Sequence, residues 1–182
     1  MAGENVEPRL LAQVATAPHP PRVIAVYRRA DLPGPEARPV TLGLWRVADP
    51  GNVGTLIRTA DAFGAAVALS EGCADPTGPK ALRASAGSIW RVPVGRLEAS
   101  EASPGVKRVA LVAHGGEPLD EVDLHGEVVF LLGAEREGLP PRGARELEAR
   151  IEIEGAESLN VAAAGAIALY EWRRRRRGQP GA

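Results

Sequence analysis

Residues 40–69 decide the fold. They run Val40-Thr41-Leu42-Gly43-Leu44-Trp45, then the turn Asp49-Pro50-Gly51-Asn52, then Val53 to Phe63, then Ala66-Val67-Ala68-Leu69. The first and last runs are short and apolar, and turn residues follow the first, which is how buried strands read. Between them Leu56, Ile57, Ala60 and Phe63 recur at helical spacing, with Asp49 placed to cap the helix. Arg58 points away from that apolar stripe, where its guanidinium can engage a phosphate. Strand, helix and strand in succession form a crossover unit, and crossovers join parallel neighbours.

The alternation continues along the chain. Val109–Ala113 and Val128–Leu132 read as buried strands and Ile151–Ile153 as a short one. Pro79–Ser85, Pro140–Leu147 and Asn160–Arg176 read as helices. The expected fold is α/β: a mostly parallel sheet with helices on both faces. Residues 1–39 differ, with six prolines between Pro18 and Pro39 around one strand-like run, Val23 to Tyr27. The expected division is an N-terminal fragment with a Pro-rich linker at 1–39 and a sheet domain at 40–182.

Composition narrows the function. The 182 residues are 45% apolar and 25% charged, which fits a soluble globular chain. A formal net charge of −1 means that nucleic-acid binding must come from local basic patches. The single cysteine, Cys73, reads as a buried or half-buried thiol. The acidic, polar N-terminus is unlike a signal peptide and no apolar run reaches membrane-span length, so a cytoplasmic protein with no membrane partner is expected. His19, His114 and His125 are scattered and form no metal-ligand cluster, so no metal is expected.

Three polar loops fall at strand ends: Ala48–Gly54, Gly133–Leu139 and Glu154–Asn160. Ligands in such sheets bind outside the carboxyl ends of the strands, so the loops point to one shared site. The first lacks both the Gly-x-Gly-x-x-Gly fingerprint and a P-loop Lys-Ser/Thr, which disfavours a nicotinamide or ATP enzyme. In the second, Glu135 lies between Gly133 and Gly138, which permit close backbone approach to a ligand. The third ends in Ser158-Leu159-Asn160 before an alanine-rich helix, which reads either as an ordinary cap or as a polar site beside free backbone N–H groups. Lys80 and Arg83 can contact phosphates. The run Arg173–Arg177 suits a helix C-terminus and reads either as a solvated end or as an RNA contact.

Taken together and in order, Asn52-x-Gly54-x-x-x-Arg58-x-x-x-x-Phe63-Gly64, Gly133-x-Glu135-x-x-Gly138-Leu139 and Ser158-Leu159-Asn160-Val161 with a trailing Tyr170-Glu171 resemble the three motifs of the SpoU/TrmH RNA methyltransferases. Pro79-Lys80-x-x-Arg83-Ala84-Ser85-x-Gly87 is similar to that family too. The resemblance implies a C-terminal deep trefoil knot, a homodimer, and methyl transfer from S-adenosyl-L-methionine, leaving S-adenosyl-L-homocysteine, to ribose 2′-hydroxyls of rRNA or tRNA. By motif it implies Asn52, Arg58, Glu135, Ser158 and Asn160 as catalytic polar positions. It places Leu132, Gly133, Ile151, Ile153, Ser158 and Leu159 against the cofactor, and Arg58, Lys80 and Arg83 against RNA. The family's usual Ile-Pro-Met before the third motif is here Ile151-Glu152-Ile153. Residues ~6–30 look like the tail of an N-terminal RNA-binding domain. A knotted, non-catalytic RNA-binding or dimerisation module is the alternative.

Overall fold

A computed structural model describes residues 5–15, 22–98, 104–134, 138–139 and 146–177. The chain divides into two compact units, Met1–Asp31 and Leu32–Ala182. The first contains a short helix α1 (Pro8–Val14), and Val6 before it and Leu10 and Val14 on it are exposed. Val23–Tyr27 is not a strand: no strand is assigned there, and Val23 and Val26 are exposed, so the run's apolar character does not become burial.

The second unit is built on a seven-stranded sheet of β1 (Val40–Trp45), β2 (Ala66–Leu69), β3 (Val94–Arg96), β4 (Val106–Val112), β5 (Glu117–Pro118), β6 (Glu127–Gly133) and β7 (Leu147–Arg150). The spatial order is β3-β2-β1-β6-β4-β7-β5 and every pairing is parallel. All strands therefore end on one edge. β6 is inserted between β1 and β4, so the direction of winding reverses there, which is where parallel sheets place ligands.

Strand alternation assigns the two faces. Val40, Leu42 and Leu44 of β1 join Phe130 and Leu132 of β6 in the main core cluster. The helices α2 (Pro50–Phe63), α3 (Pro79–Ser85) and α4 (Val161–Arg177) all contribute to or pack on that same cluster, through residues such as Leu56, Leu82 and Leu169. The expectation of helices on both faces is therefore not met among the described residues. Among the described residues the opposite face holds a small cluster of Leu97, Ala110 and Leu131, with Trp45 and Val129 beside it. Small and polar residues such as Thr41, Gly43 and Arg108 dilute that side. The expected helix at 140–147 falls outside the described residues up to residue 145, and Leu147 is in a strand.

Helix α2 begins three residues before the predicted start. The Asp49 side chain accepts a hydrogen bond from the Asn52 N–H at 2.9 Å and so satisfies one of the free donors of the first turn. Pro50 supplies a first residue that needs no donor. Gly64, at φ 68°, ends the helix in the left-handed conformation that glycine adopts without strain. Val53, Leu56 and Ile57 are fully buried, each stabilising the fold by roughly 1.5–3 kcal/mol relative to exposure. Cys73 is half-buried, its thiol donating to the Leu44 carbonyl at 3.2 Å.

The arginine run at the end of α4 is mostly occupied. Arg174 and Arg175 both bind Glu171, at 2.7 and 2.6 Å, and Arg175 also donates to the Leu119 and Val122 carbonyls. Arg176 stacks over the Trp172 ring, 5.1 Å from its centroid. The Arg174 hydrogen bond, then that of Arg175, lowers the Glu171 pKa to about 2 from 4.5. Because the folded value is depressed, the stabilisation is complete above pH 4.5 and is lost as pH falls through that value toward 2. Glu171→Gln is expected to lower stability at pH 7 and to flatten its fall between pH 4.5 and 2, measured by urea unfolding at stepped pH.

Candidate active site

The ends of β4, β6 and β7 and the start of α4 enclose a cavity of about 530 Å³. Leu132, Gly133, Ile151, Ile153, Ser158 and Leu159, all six residues expected at the cofactor, line it. Its wall is mainly apolar. Leu111, Val112 and Ala113 from the end of β4, with Leu139, also line it. No motif covers Leu111, Val112 or Ala113, although the strand-end rule reaches β4 once the sheet order is known. Gly133 makes the loop fit: a Cβ there would collide with the backbone of Gly138.

The approach to Ser158 differs from expectation. Ile151–Ile153 is not a strand. β7 ends at Arg150, and Ile151 and Ile153 turn their side chains to the cavity instead of to a neighbouring strand. Arg150 fixes this departure, donating to the Gly116 carbonyl at 2.6 Å and to Glu152 at 3.0 Å. It thereby ties the loop after β4 to the loop after β7, on either side of the cavity, where the family's proline is absent.

Asn160, rather than Ser158, caps α4. Its Oδ1 accepts from the N–H groups of Ala162 at 2.9 Å and Ala163 at 3.4 Å. Its Nδ2 donates to Asn52 Oδ1 at 3.2 Å. This one side chain joins the N-termini of α2 and α4, whose partial positive charges then face the same sheet edge. The helices approach closely enough because Gly165 lies against Leu56 and Leu132, where a Cβ would be 2.5 Å from Leu56 Cδ2. Ser158 is exposed at the cavity wall.

Arg58 lies on α2, does not line the cavity, and is exposed with no hydrogen bond or ion pair among the described residues. Arg83 is likewise exposed on α3. Lys80 is engaged: it pairs with Asp49 at 2.8 Å, and that hydrogen bond is the main cause of the lowered Asp49 pKa. Glu135 falls outside the described residues. The structure thus joins Asn52 to Asn160 and gathers the cofactor set.

A family model described as the SpoU rRNA Methylase family matches residues 39–170. The chain belongs to this family. The 23S rRNA (guanosine(2553)-2'-O)-methyltransferase RlmP of Bacillus subtilis is 36% identical over 85% of this chain and 65% of its own length. An uncharacterized tRNA/rRNA methyltransferase of Synechocystis is 35% identical over 93% of this chain. The chain spans about two thirds of the length of both relatives, 66% and 65%. A TrmH-family structure from Porphyromonas gingivalis superimposes with TM-score 0.79 and 34% identity over 91% of this chain and 71% of that one. The SpoU methyltransferase AviRb from Streptomyces viridochromogenes, solved with its cofactor AdoMet, gives TM-score 0.67 and 30% identity over 77% of this chain and 61% of that one.

Proposed function

We propose that this SpoU-family protein is an S-adenosylmethionine-dependent RNA methyltransferase acting on a ribose 2′-hydroxyl of rRNA or tRNA. The observation that carries the proposal is the cavity at the β4–β6–β7 edge, lined by all six residues that the motifs assign to the cofactor. Its size and apolar wall fit a nucleoside-bearing cofactor, and strand-end backbone supplies the polar contacts. S-adenosylmethionine, when bound, supplies an electrophilic methyl group.

The protein's own residues must position a poor nucleophile and stabilise it as its proton leaves. A guanidinium donates hydrogen bonds and is a poor base, so the role of Arg58 is to clamp the adjacent phosphate and stabilise the developing alkoxide. Asn160 holds the two helix N-termini together and Ser158 presents its hydroxyl at the cavity wall. Glu135 is assigned to the same site by motif, and Arg83 and Lys80 to RNA phosphates. The protein acts as a homodimer in the cytoplasm, with its chain after β6 threaded as a trefoil knot. The insertion of β6 between β1 and β4, with β7 beyond β4 and α4 returning over β6, supports that threading.

Calorimetry with S-adenosylhomocysteine tests the cofactor assignment. Micromolar binding is expected, and no binding by folded protein would sink it. Arg150→Ala, which frees the two flanking loops, is expected to weaken that binding about 2–5-fold, the size appropriate to a half-exposed charged hydrogen bond.

A further inference from the structure

A second cleft opens at the same sheet edge, at the ends of β1, β2 and β3. It has a volume of about 450 Å³ and is lined by Trp45, Arg46, Ser70, Glu71, Arg96 and Glu98, with Gly72 and Leu97. None of these residues belongs to the three motifs. We infer that this cleft is a nucleobase subsite, taking a base of the substrate RNA and favouring guanine over uracil. The inference rests on the proposed RNA methyltransferase reading and adds a specificity element to it.

The residue types match such a ligand. Trp45 brings an aromatic face to a polar cleft, and unpaired RNA bases are held by stacking on such faces with hydrogen bonds to their edges. Charges of both signs line the same cleft. Arg96, from β3, pairs with Glu98 at 2.8 Å and reaches Glu71 at 3.8 Å. Carboxylates accept hydrogen bonds and guanidinium groups only donate. Guanine meets both more fully, its O6 and N7 accepting from arginine while N1–H and N2–H donate together to one carboxylate, whereas uracil has a single ring N–H donor, at N3. Glu71 and Glu98 are exposed enough to exchange their partners, at 94% and 62% side-chain accessibility.

The backbone is set for the same purpose. Arg46 sits in the left-handed region at φ 54°, unfavourable for a residue with a Cβ. It is held there by its N–H donating to Ser70 Oγ at 2.9 Å, and Ser70 Oγ donates in turn to the Glu71 carbonyl at 2.9 Å. Such a conformation persists only where surrounding structure imposes it, and it gathers at ligand sites. Here it turns the chain out of β1 toward Asp49 and Asn52, so the cleft and the proposed catalytic helix are joined by three residues, Val47, Ala48 and Asp49.

NMR titrations of the full chain with GMP and with UMP, in the presence of S-adenosylhomocysteine, test the inference. GMP is expected to bind at least fivefold tighter than UMP and to shift the Trp45 indole resonance, identified by its loss in Trp45→Phe. Trp45→Ala is expected to weaken GMP binding about tenfold. Trp45 also packs on the small core cluster, so the double variant Glu71→Ala/Glu98→Ala, at two exposed side chains, keeps the test independent of folding. That variant is expected to bring GMP and UMP to equal affinity. Equal binding of the two nucleotides by the unaltered chain, an unmoved Trp45 resonance, or a preference that survives the double variant would each overturn the inference. S-adenosylhomocysteine binding in the same samples reports on the enzyme reading by itself.

Discussion

Arg58→Ala is expected to reduce methyl transfer by about 10²–10³-fold while leaving cofactor affinity unchanged. The size follows from the role. A fixed cation aimed at developing charge acts chiefly in the transition state, so its loss lowers turnover more than ground-state binding. The selectivity follows from the structure, since Arg58 is exposed on α2 and does not contribute to the cavity wall. Arg58→Lys is expected to recover only part of the rate, because an ammonium keeps the charge but loses the planar, two-pronged contact with phosphate. Turnover on RNA and S-adenosylhomocysteine calorimetry on the same preparations separate the two effects. Collapse of cofactor binding in Arg58→Ala would mean that α2 supports the cavity rather than the substrate.

Gly54→Ala has the largest expected effect on stability. In an open helix this change stabilises by about 0.5–1 kcal/mol. Here a Cβ would collide with the Ala81 carbonyl oxygen and lie 2.6 Å from Ala84 Cβ, where α2 crosses α3. The oxygen belongs to backbone and cannot rotate aside, so overpacking of ~3 kcal/mol or more outweighs the helical gain. A net loss of about 2–3 kcal/mol is expected, lowering Tm by roughly 5–10 °C in a chain of this size. Moving α2 off α3 also separates Asp49 from Lys80, so methyl transfer should fall with stability. An unchanged Tm would show that the helices slide apart without cost.

The parts of the fold written in local chemistry were legible. β1, α2 and β2 follow from apolar alternation, the Asp49 cap and the Gly64 stop, and their structural limits agree with the reading except that capping draws Pro50–Asn52 into the helix. Other parts were not. β3 and β5 are three and two residues long, too short to carry a period. Ile151 and Ile153 alternate as a strand would, but they face a cavity, and periodicity does not distinguish a partner strand from ligand space. Conversely β7, Leu147-Glu148-Ala149-Arg150, buries only Ala149 and gives a weak apolar signal. The candidate cofactor wall was readable from motifs, whereas Leu111–Ala113 enters it only through the non-sequential placement of β4 beside β6 and β7. The same limit applies to Arg175. Its sequence context suggests a free basic run, and its structure makes it a clamp on two carbonyls and Glu171.

The most direct test is methyl transfer itself. Purified chain incubated with labelled S-adenosylmethionine and unmodified rRNA or tRNA should place label in the RNA, at positions resistant to alkaline hydrolysis, and nucleoside analysis should return a 2′-O-methylnucleoside. Label recovered on a base, or cofactor-bound protein that labels no RNA, would contradict the assignment of this site to ribose 2′-O-methylation.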